Sequence, residues 1–262
     1  MSATPFTTRV LGRVNKPVHR LGLALSFGLD ARGFSAALER GLNYVFWGRG
    51  PKPLRELFRE ALRKDRERYV VATGPTLGYT RGSVRRSAER MLKILGTDYL
   101  DVLQLYWLSR MSAWTTGVVD ELVKLRDEGK VRAIGTSIHD RPRAGKLAEQ
   151  SPLDLLMIRY NAAHPGAEKD IFPHLAARQP SIVAYTATSW RRLLRAPSGW
   201  TGPAMTAGDC YRFCLSNPSV DVVLTGPSSQ QELEENLAAV ERGPLTPDEE
   251  KWMRDYGRAV HG

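Results

Sequence analysis

The sequence predicts a (β/α)8 TIM barrel, with residues 1–262 forming a single domain. Two observations lead there. Eight short apolar runs alternate with eight longer amphipathic stretches. Most runs are continuously apolar rather than alternating, as parallel strands covered on both faces require. A length of 262 residues suits one barrel, and no linker or low-complexity stretch divides it.

The runs are Leu21–Leu25, Tyr44–Trp47, Tyr69–Ala72, Leu100–Leu105, Val131–Gly135, Leu153–Ile158, Ile182–Tyr185 and Val220–Leu224. Helical spacing of apolar residues follows over Ala31–Arg40, Leu54–Lys64, Ser83–Leu95, Val118–Asp127, Arg141–Ala148, Lys169–Ala176, Asp209–Ser216 and Gln230–Val240. Gly41 and Gly129 stand where the first and fourth helices stop, because glycine turns left-handed there without steric cost. Asp140 is placed to cap the fifth helix. Ser228 with Gln231 reads as a capping box opening the eighth. Thr246, Pro247 and Glu249 read as another, opening an extra C-terminal helix to about Val260. The longest loop, Arg195–Gly208, is either a lid or a plain surface connection.

Hydrophobic residues make up 42% and charged residues 25%, ordinary for a soluble globular chain. No apolar run approaches the ~18 residues of a membrane span. The opening MSATPFTTRVLGRVNK lacks the apolar core of a secretory signal, so a cytoplasmic location is expected. Cys210 and Cys214, four apart on a predicted helix, are expected as small core residues on one face. They are too few for a disulfide framework or, alone, a metal site. The net charge of +10 is spread over arginines such as Arg63, Arg66, Arg85, Arg90 and Arg195. It reads as a solvated basic surface or as attraction for anionic ligands. No nucleic-acid module is present, so the expected partner is a small molecule, with neither nucleic acid nor membrane. The oligomeric state is open.

Several segments are more specific. Gly96–Tyr106 reads GTDYLDVLQLY, and further on LVKLRDEGK leads into VRAIG and TSIHD. RYNAAHPGAE and VVLTGPSSQQELEENL follow. Together these stretches resemble the aldo/keto reductases, over nearly the whole chain from about Arg9 to Tyr256. The resemblance implies an N-terminal β-hairpin closing the barrel bottom, an active site at the C-terminal strand ends, and NADP(H) as cofactor. It also implies a catalytic tetrad of Asp, Tyr, Lys and His, in which Tyr protonates a carbonyl while NADPH delivers hydride.

The matching positions differ from that pattern. Phe46 stands where Asp is expected in GLNYVFWGRG, and no Tyr follows, only Trp47 and Arg49 nearby. Gly74 takes the Lys position after VVAT, and Tyr106 takes the His position. Tyr106 is then either a proton donor needing a cationic neighbour or a space-filling aromatic. Arg49, Arg110, His139 and Arg159 are candidates to lie beside it, and His139 itself is either catalytic or structural. Phe46, Trp47, Trp107 and Arg159 form the candidate substrate pocket, suited to an aromatic or anionic ligand.

The nicotinamide end looks altered as well: Met157 and Ile138 replace the family's Gln and Asn. Ser137, Asn161 and the aromatic Tyr185 remain as candidates there. The adenosine end is better kept, with Gly226, Ser228, Gln231, Glu235 and Asn236 at the start of the eighth helix. Ser228 and Ser229 stand where the resemblance implies a cation for a 2′-phosphate, and Arg191 and Arg192 are candidate substitutes. The chain thus reads as a divergent oxidoreductase-type enzyme. The alternatives are a non-catalytic ligand-binding protein and a cofactor-independent enzyme on the same barrel.

Overall fold

The computed structural model describes residues 5–48 and 50–261. The chain opens with an antiparallel hairpin, β1 (Thr8–Leu11) and β2 (Lys16–His19), in which Thr8 faces His19. Strand and helix then alternate: β3 (Leu21–Ala24), α1 (Ala31–Glu39), β4 (Tyr44–Phe46), α2 (Lys52–Lys64), β5 (Val70–Thr73), α3 (Arg81–Leu95), β6 (Leu100–Leu105) and α4 (Thr116–Asp127). The second half runs β7 (Val131–Ile138), α5 (Arg141–Gln150), β8 (Leu155–Arg159), α6 (Ala167–Asp170), β9 (Ser181–Tyr185), α7 (Ala207–Ser216), β10 (Val222–Thr225) and α8 (Gln230–Glu241). The helix α9 (Pro247–His261) follows. Strands β3 to β10 are parallel neighbours in chain order, and β10 closes the barrel onto β3. This is the expected (β/α)8 barrel with its hairpin and extra helix.

Local chemistry explains most element ends. Gly41 and Gly129 have φ of +90° and +75°, the left-handed stops expected after α1 and α4. The Asp140 side chain caps α5, and Thr246 and Glu249 form the expected box at α9. Two expectations are corrected. The sixth helix breaks after Asp170 into a short 3-10 turn, Phe172–His174, because Pro173 has no N–H to donate and crowds the preceding turn. At α8 the cap is Ser229 rather than Ser228, and Glu232 rather than Gln231 reaches back.

Two apolar shells hold the barrel. The inner one stacks Tyr44, Val70, Val102, Leu155, Met157 and Val222 inside the strands, and Leu11, Val14 and Val18 of the hairpin segment plug it from below. The outer one lies between strands and helices, with Phe34, Phe58 and Trp47 at its centre. Cys210 and Cys214 are buried free thiols in that outer shell, as expected.

Polar groups order the barrel floor. At or just before the start of every second strand sits a carboxylate or amide that accepts a backbone N–H of the preceding strand region. Asn43 accepts from His19 at 2.9 Å, Asp101 from Val71 at 2.9 Å, Asp154 from Ile134 at 3.0 Å and Asp221 from Ile182 at 2.7 Å. The hairpin segment brings a matching set of partners. Lys16 pairs with Asp101 at 2.9 Å, Arg9 with Asp221 at 2.9 Å and Arg13 with Asp154 at 3.8 Å, while the Pro17 carbonyl accepts from Asn43 at 2.8 Å. Arg66 adds a second cation on Asp101 at 2.7 Å.

Asp101 is fully buried and Lys16 is 5% exposed, so removing Asp101 takes away the carboxylate that Lys16 and Arg66 share in a place water does not reach. Asp101→Ala is expected to cost about 3–5 kcal/mol in urea unfolding. A loss below about 1 kcal/mol would remove this cluster from its structural role.

Candidate functional site

A cavity of about 650 Å³ opens at the C-terminal ends of the barrel strands. That volume is typical of small-molecule and cofactor sites, roughly 300–1,000 Å³. Its floor is Phe46, Met157 and Leu224 from the strand ends, and one wall is Tyr185 with the loop that follows β9. The opposite wall is Gly226 and the first turns of α8, with Glu232, Glu235 and Asn236. Phe27 and Trp190 flank the opening, 60% and 61% exposed.

The loop after β9 is held in an uncommon backbone. Thr186, Ser189, Trp190 and Arg191 all have positive φ, between 50° and 66°. Each such residue costs of order 1 kcal/mol or more, so neighbours must enforce the shape. They do so with polar bonds: Ser189 N–H donates to the Thr186 carbonyl at 2.8 Å, and Asn161 Nδ2 donates to the same carbonyl at 2.8 Å. Arg191 N–H donates to Thr188 Oγ1 at 3.2 Å. The result is that Trp190 and Arg191 are aimed at the cavity.

Beside this wall lies a phenol–imidazole pair. The Tyr185 hydroxyl is 2.8 Å from Nε2 of His139. Trp107 covers the other side of the imidazole, ring centres 5.7 Å apart. Burial lowers the His139 pKa below its ordinary value, helped by the charges of Arg159 and Arg110, so the ring is neutral near pH 7. Burial pushes the Tyr185 phenol up to about 12, and Arg159 opposes that rise.

Tyr106, expected as a proton donor, is placed differently. Its hydroxyl is sealed from solvent beside Thr73 and Gly74, and burial pushes it up to about 12 with no cation among the described residues pulling it down. Its ring meets Phe46 edge to face at 5.6 Å. Gly74 is where the chain presses closest: an added Cβ would lie 1.9 Å from the Gln104 carbonyl oxygen and 3.1 Å from the Tyr106 ring. No side chain fits there without moving the backbone of β6.

Of the other expected residues, Phe46, Tyr185, Arg191, Gly226, Glu235 and Asn236 line the cavity together. The rest are corrected. Trp47 is 1% exposed and stacks on Phe58 in the outer core, because β4 turns it away from the mouth. Asn161 is fully buried, and its amide is spent on the Thr186 carbonyl and the Ala163 N–H. Ser137 Oγ accepts the Trp107 N–H at 2.8 Å and lies off the cavity. Trp107 is on the surface over His139. Arg159 joins His139, His164 and Arg141 around a crevice of about 10 Å³, too small for a substrate. Arg192 turns to the Val260 carbonyl at 3.0 Å, Ser228 is held by Glu232, and Gln231 donates to Glu235. Arg49 lies outside the described residues. The loop Arg195–Gly208 reaches the cavity only at Ala207, with Trp200 packed on Tyr256 at 5.0 Å, so its candidacy as a lid is not sustained.

Phe27, Trp190, Glu232 and Tyr211 were not anticipated. A signal existed for the first two, since each is an aromatic residue in a loop following a barrel strand, where exposure must be enforced. Among the described residues, no cluster of His, Cys, Asp or Glu is placed to hold a metal ion, and no helix is long and apolar enough to cross a membrane.

Comparison with known proteins bears on the family and the fold. The sequence profile of the aldo/keto reductase family matches residues 35–192. The NADH-specific methylglyoxal reductase of Escherichia coli is 29% identical over 35% of this chain, a stretch spanning 28% of that protein's length. L-galactose dehydrogenase of Arabidopsis thaliana is 23% identical over 69% of this chain and 66% of its own length. Among solved structures, the holo form of an aldo-keto reductase from Bacillus halodurans (AKR11C1) superposes with a TM-score of 0.80 at 22% identity, covering 97% of each chain. That last likeness concerns the fold.

Asn161→Ala is expected to release the loop at Thr186 and cost about 1–3 kcal/mol. Hydrogen exchange should then show lost protection at Ser189 and Arg191 in particular. Unchanged protection there would mean the loop is held without Asn161.

Proposed function

The chain belongs to the aldo/keto reductase family, and from that premise we propose an oxidoreductase-type enzyme with non-standard catalytic residues. In this reading it binds a nicotinamide dinucleotide, NAD(P)(H), in the cavity between the β9 loop and α8. Tyr185 and His139 handle the proton. The carrying observation is that residues the family resemblance assigns to opposite ends of the cofactor, Tyr185 and Asn236, line one continuous space. The donor set suits such a group: Phe27, Tyr185 and Trp190 offer flat faces for planar rings, and Arg191 offers a guanidinium for a diphosphate.

When bound, the nicotinamide supplies hydride chemistry. The protein's part is the proton and the binding. Tyr185 holds a proton at its phenolic oxygen. With the ring proton on Nε2, His139 donates to that oxygen and leaves the phenolic hydrogen free for a substrate oxygen. The nearby Arg159 charge favours the phenolate that remains. Phe46, backed edge to face by Tyr106, gives the cavity an aromatic surface that suits a small carbonyl compound with a planar body. Departure from the usual tetrad is supported by the apolar Phe46, by the lack of room at Gly74 and by the sealed Tyr106 hydroxyl. The same three positions favour a second reading, a ligand-binding protein without turnover. The free thiols Cys210 and Cys214 support a reducing, cytoplasmic setting.

The test is titration with NADH and NADPH, read by quenching of the exposed Trp190, with Trp190→Phe as the control. Saturable quenching is expected, and its absence with both nucleotides would overturn the cofactor reading. With aromatic aldehydes or 2-oxo acids as probes, Tyr185→Phe should keep binding but lower turnover about 10²–10⁴-fold. Tyr106→Phe should leave turnover within a few-fold. No turnover by the unaltered protein would favour the second reading.

A further inference from the structure

We propose that the cavity selects a dinucleotide lacking the 2′-phosphate, NADH over NADPH, and that Glu232 and Glu235 make the selection. The proposal rests on the cofactor reading above and narrows it.

Among the described residues that line the cavity, the charged side chains are Arg191, Glu232 and Glu235. Two carboxylates therefore face one cation. Their positions matter more than their number. The Glu232 carboxylate sits across the start of α8, accepting the Ser228 N–H at 2.8 Å and its hydroxyl at 2.9 Å. The Glu232 N–H is itself taken by Ser229 Oγ at 3.1 Å. A helix N-terminus ordinarily attracts phosphate through free N–H groups and the helix dipole. Here an intramolecular anion already occupies that end. The Ser228 N–H holds the Glu232 carboxyl below the usual carboxylate range, so it is charged at neutral pH.

Glu235 lies one turn further along the same wall, exposed, with Gln231 Nε2 donating to it at 2.9 Å. That amide orients the carboxylate without neutralising it. Other cations nearby are engaged elsewhere. Arg192 is turned to the Val260 carbonyl, and Arg40 pairs with Glu234 and Glu241. Arg191 remains, close enough for its charge to act on the Glu232 carboxylate, and in the cofactor reading its guanidinium serves the diphosphate that both dinucleotides carry.

The chemistry of the two ligands then decides. A phosphate monoester carries about −1.5 to −2 charge at pH 7 and can only accept hydrogen bonds once fully ionised. A ribose hydroxyl can donate to a carboxylate, the pairing by which an acidic side chain commonly distinguishes NAD from NADP. Glu232, which is not among the adenosine-end residues the resemblance assigns, is placed to accept from a 2′-hydroxyl and repel a 2′-phosphate, and Glu235 adds negative charge beside it.

The experiment compares NADH and NADPH by direct binding, at low and high salt, in the unaltered protein and in the double variant E232Q/E235Q. Glutamine keeps an acceptor for the Ser228 N–H, so the α8 cap survives, and thermal unfolding checks this. In the unaltered protein NADH should bind about tenfold more tightly or better at low salt. Raising ionic strength should narrow the gap, because screening weakens the repulsion. The double variant should narrow it through tighter NADPH binding. Arg191→Ala should weaken both nucleotides alike. Equal or tighter binding of NADPH to the unaltered protein overturns the proposal, as does an unchanged gap in a folded double variant. If neither nucleotide binds at any salt, the cofactor reading falls and the selectivity falls with it.

Discussion

The barrel depends on the way its floor satisfies buried backbone groups. Strand beginnings expose N–H groups that no parallel neighbour reaches, and leaving one unpaired in a closed interior costs about 1–3 kcal/mol. Asn43, Asp101, Asp154 and Asp221 answer this at every second strand. Three of the four answers introduce a negative charge beneath the barrel. The N-terminal hairpin segment supplies Arg9, Arg13 and Lys16, one to each carboxylate, while Leu11, Val14 and Val18 fill the space below the inner strands. Hairpin and barrel are therefore one electrostatic unit. Without these cations Asp221 would lose its ion pair with Arg9, while Asp101 and Asp154 would keep only Arg66 and Arg126.

This arrangement explains what the motif around Gly96 does. Its most distinctive residues look like a catalytic signature because they precede a strand that ends in the mouth. Yet Asp101 points to the floor, where it meets Lys16, Arg66 and the Val71 N–H. The motif records the fold rather than the chemistry. Family likeness carried by such residues reports the barrel floor and not the residues at the other end of the same strand.

The separation also shows which features a sequence exposes. Strand and helix positions were legible because continuous apolar runs and helical periodicity report burial directly, and glycine stops report backbone shape. The break in the sixth helix at Pro173 was legible in principle, since proline acts locally, but periodicity outweighed it. The site was less legible. The family resemblance places Asn161 and Ser137 at the nicotinamide end, but it carries no information about their partners in space. Their bonds to the Thr186 carbonyl and the Trp107 N–H arise only when separate loops meet. Trp47 and Phe46 are adjacent in sequence, yet alternation along β4 sends one to the outer core and the other to the mouth. The contact between Tyr185 and His139 joins two strand ends that are not neighbours in the sheet, so no local pattern announces it.

The mouth presents aromatic surface on one side and polar groups on the other. At the ends of β4, β5 and β6 stand Phe46, Gly74 and Tyr106, packed so tightly that Gly74 admits no side chain. A charged group introduced into that corner would face desolvation without a partner. Opposite it, the strained loop after β9 presents Trp190 and Arg191, and Tyr185 reaches His139. The strain persists because Asn161 and the loop's own bonds over-determine it. In the proposed reading the proton chemistry lies on the β7–β9 side rather than in the β4–β6 corner, because there a phenol, an imidazole and a guanidinium lie beside the cavity. A barrel whose floor is fixed by its own ion pairs can tolerate this, since the strand framework does not depend on which mouth residues do the work.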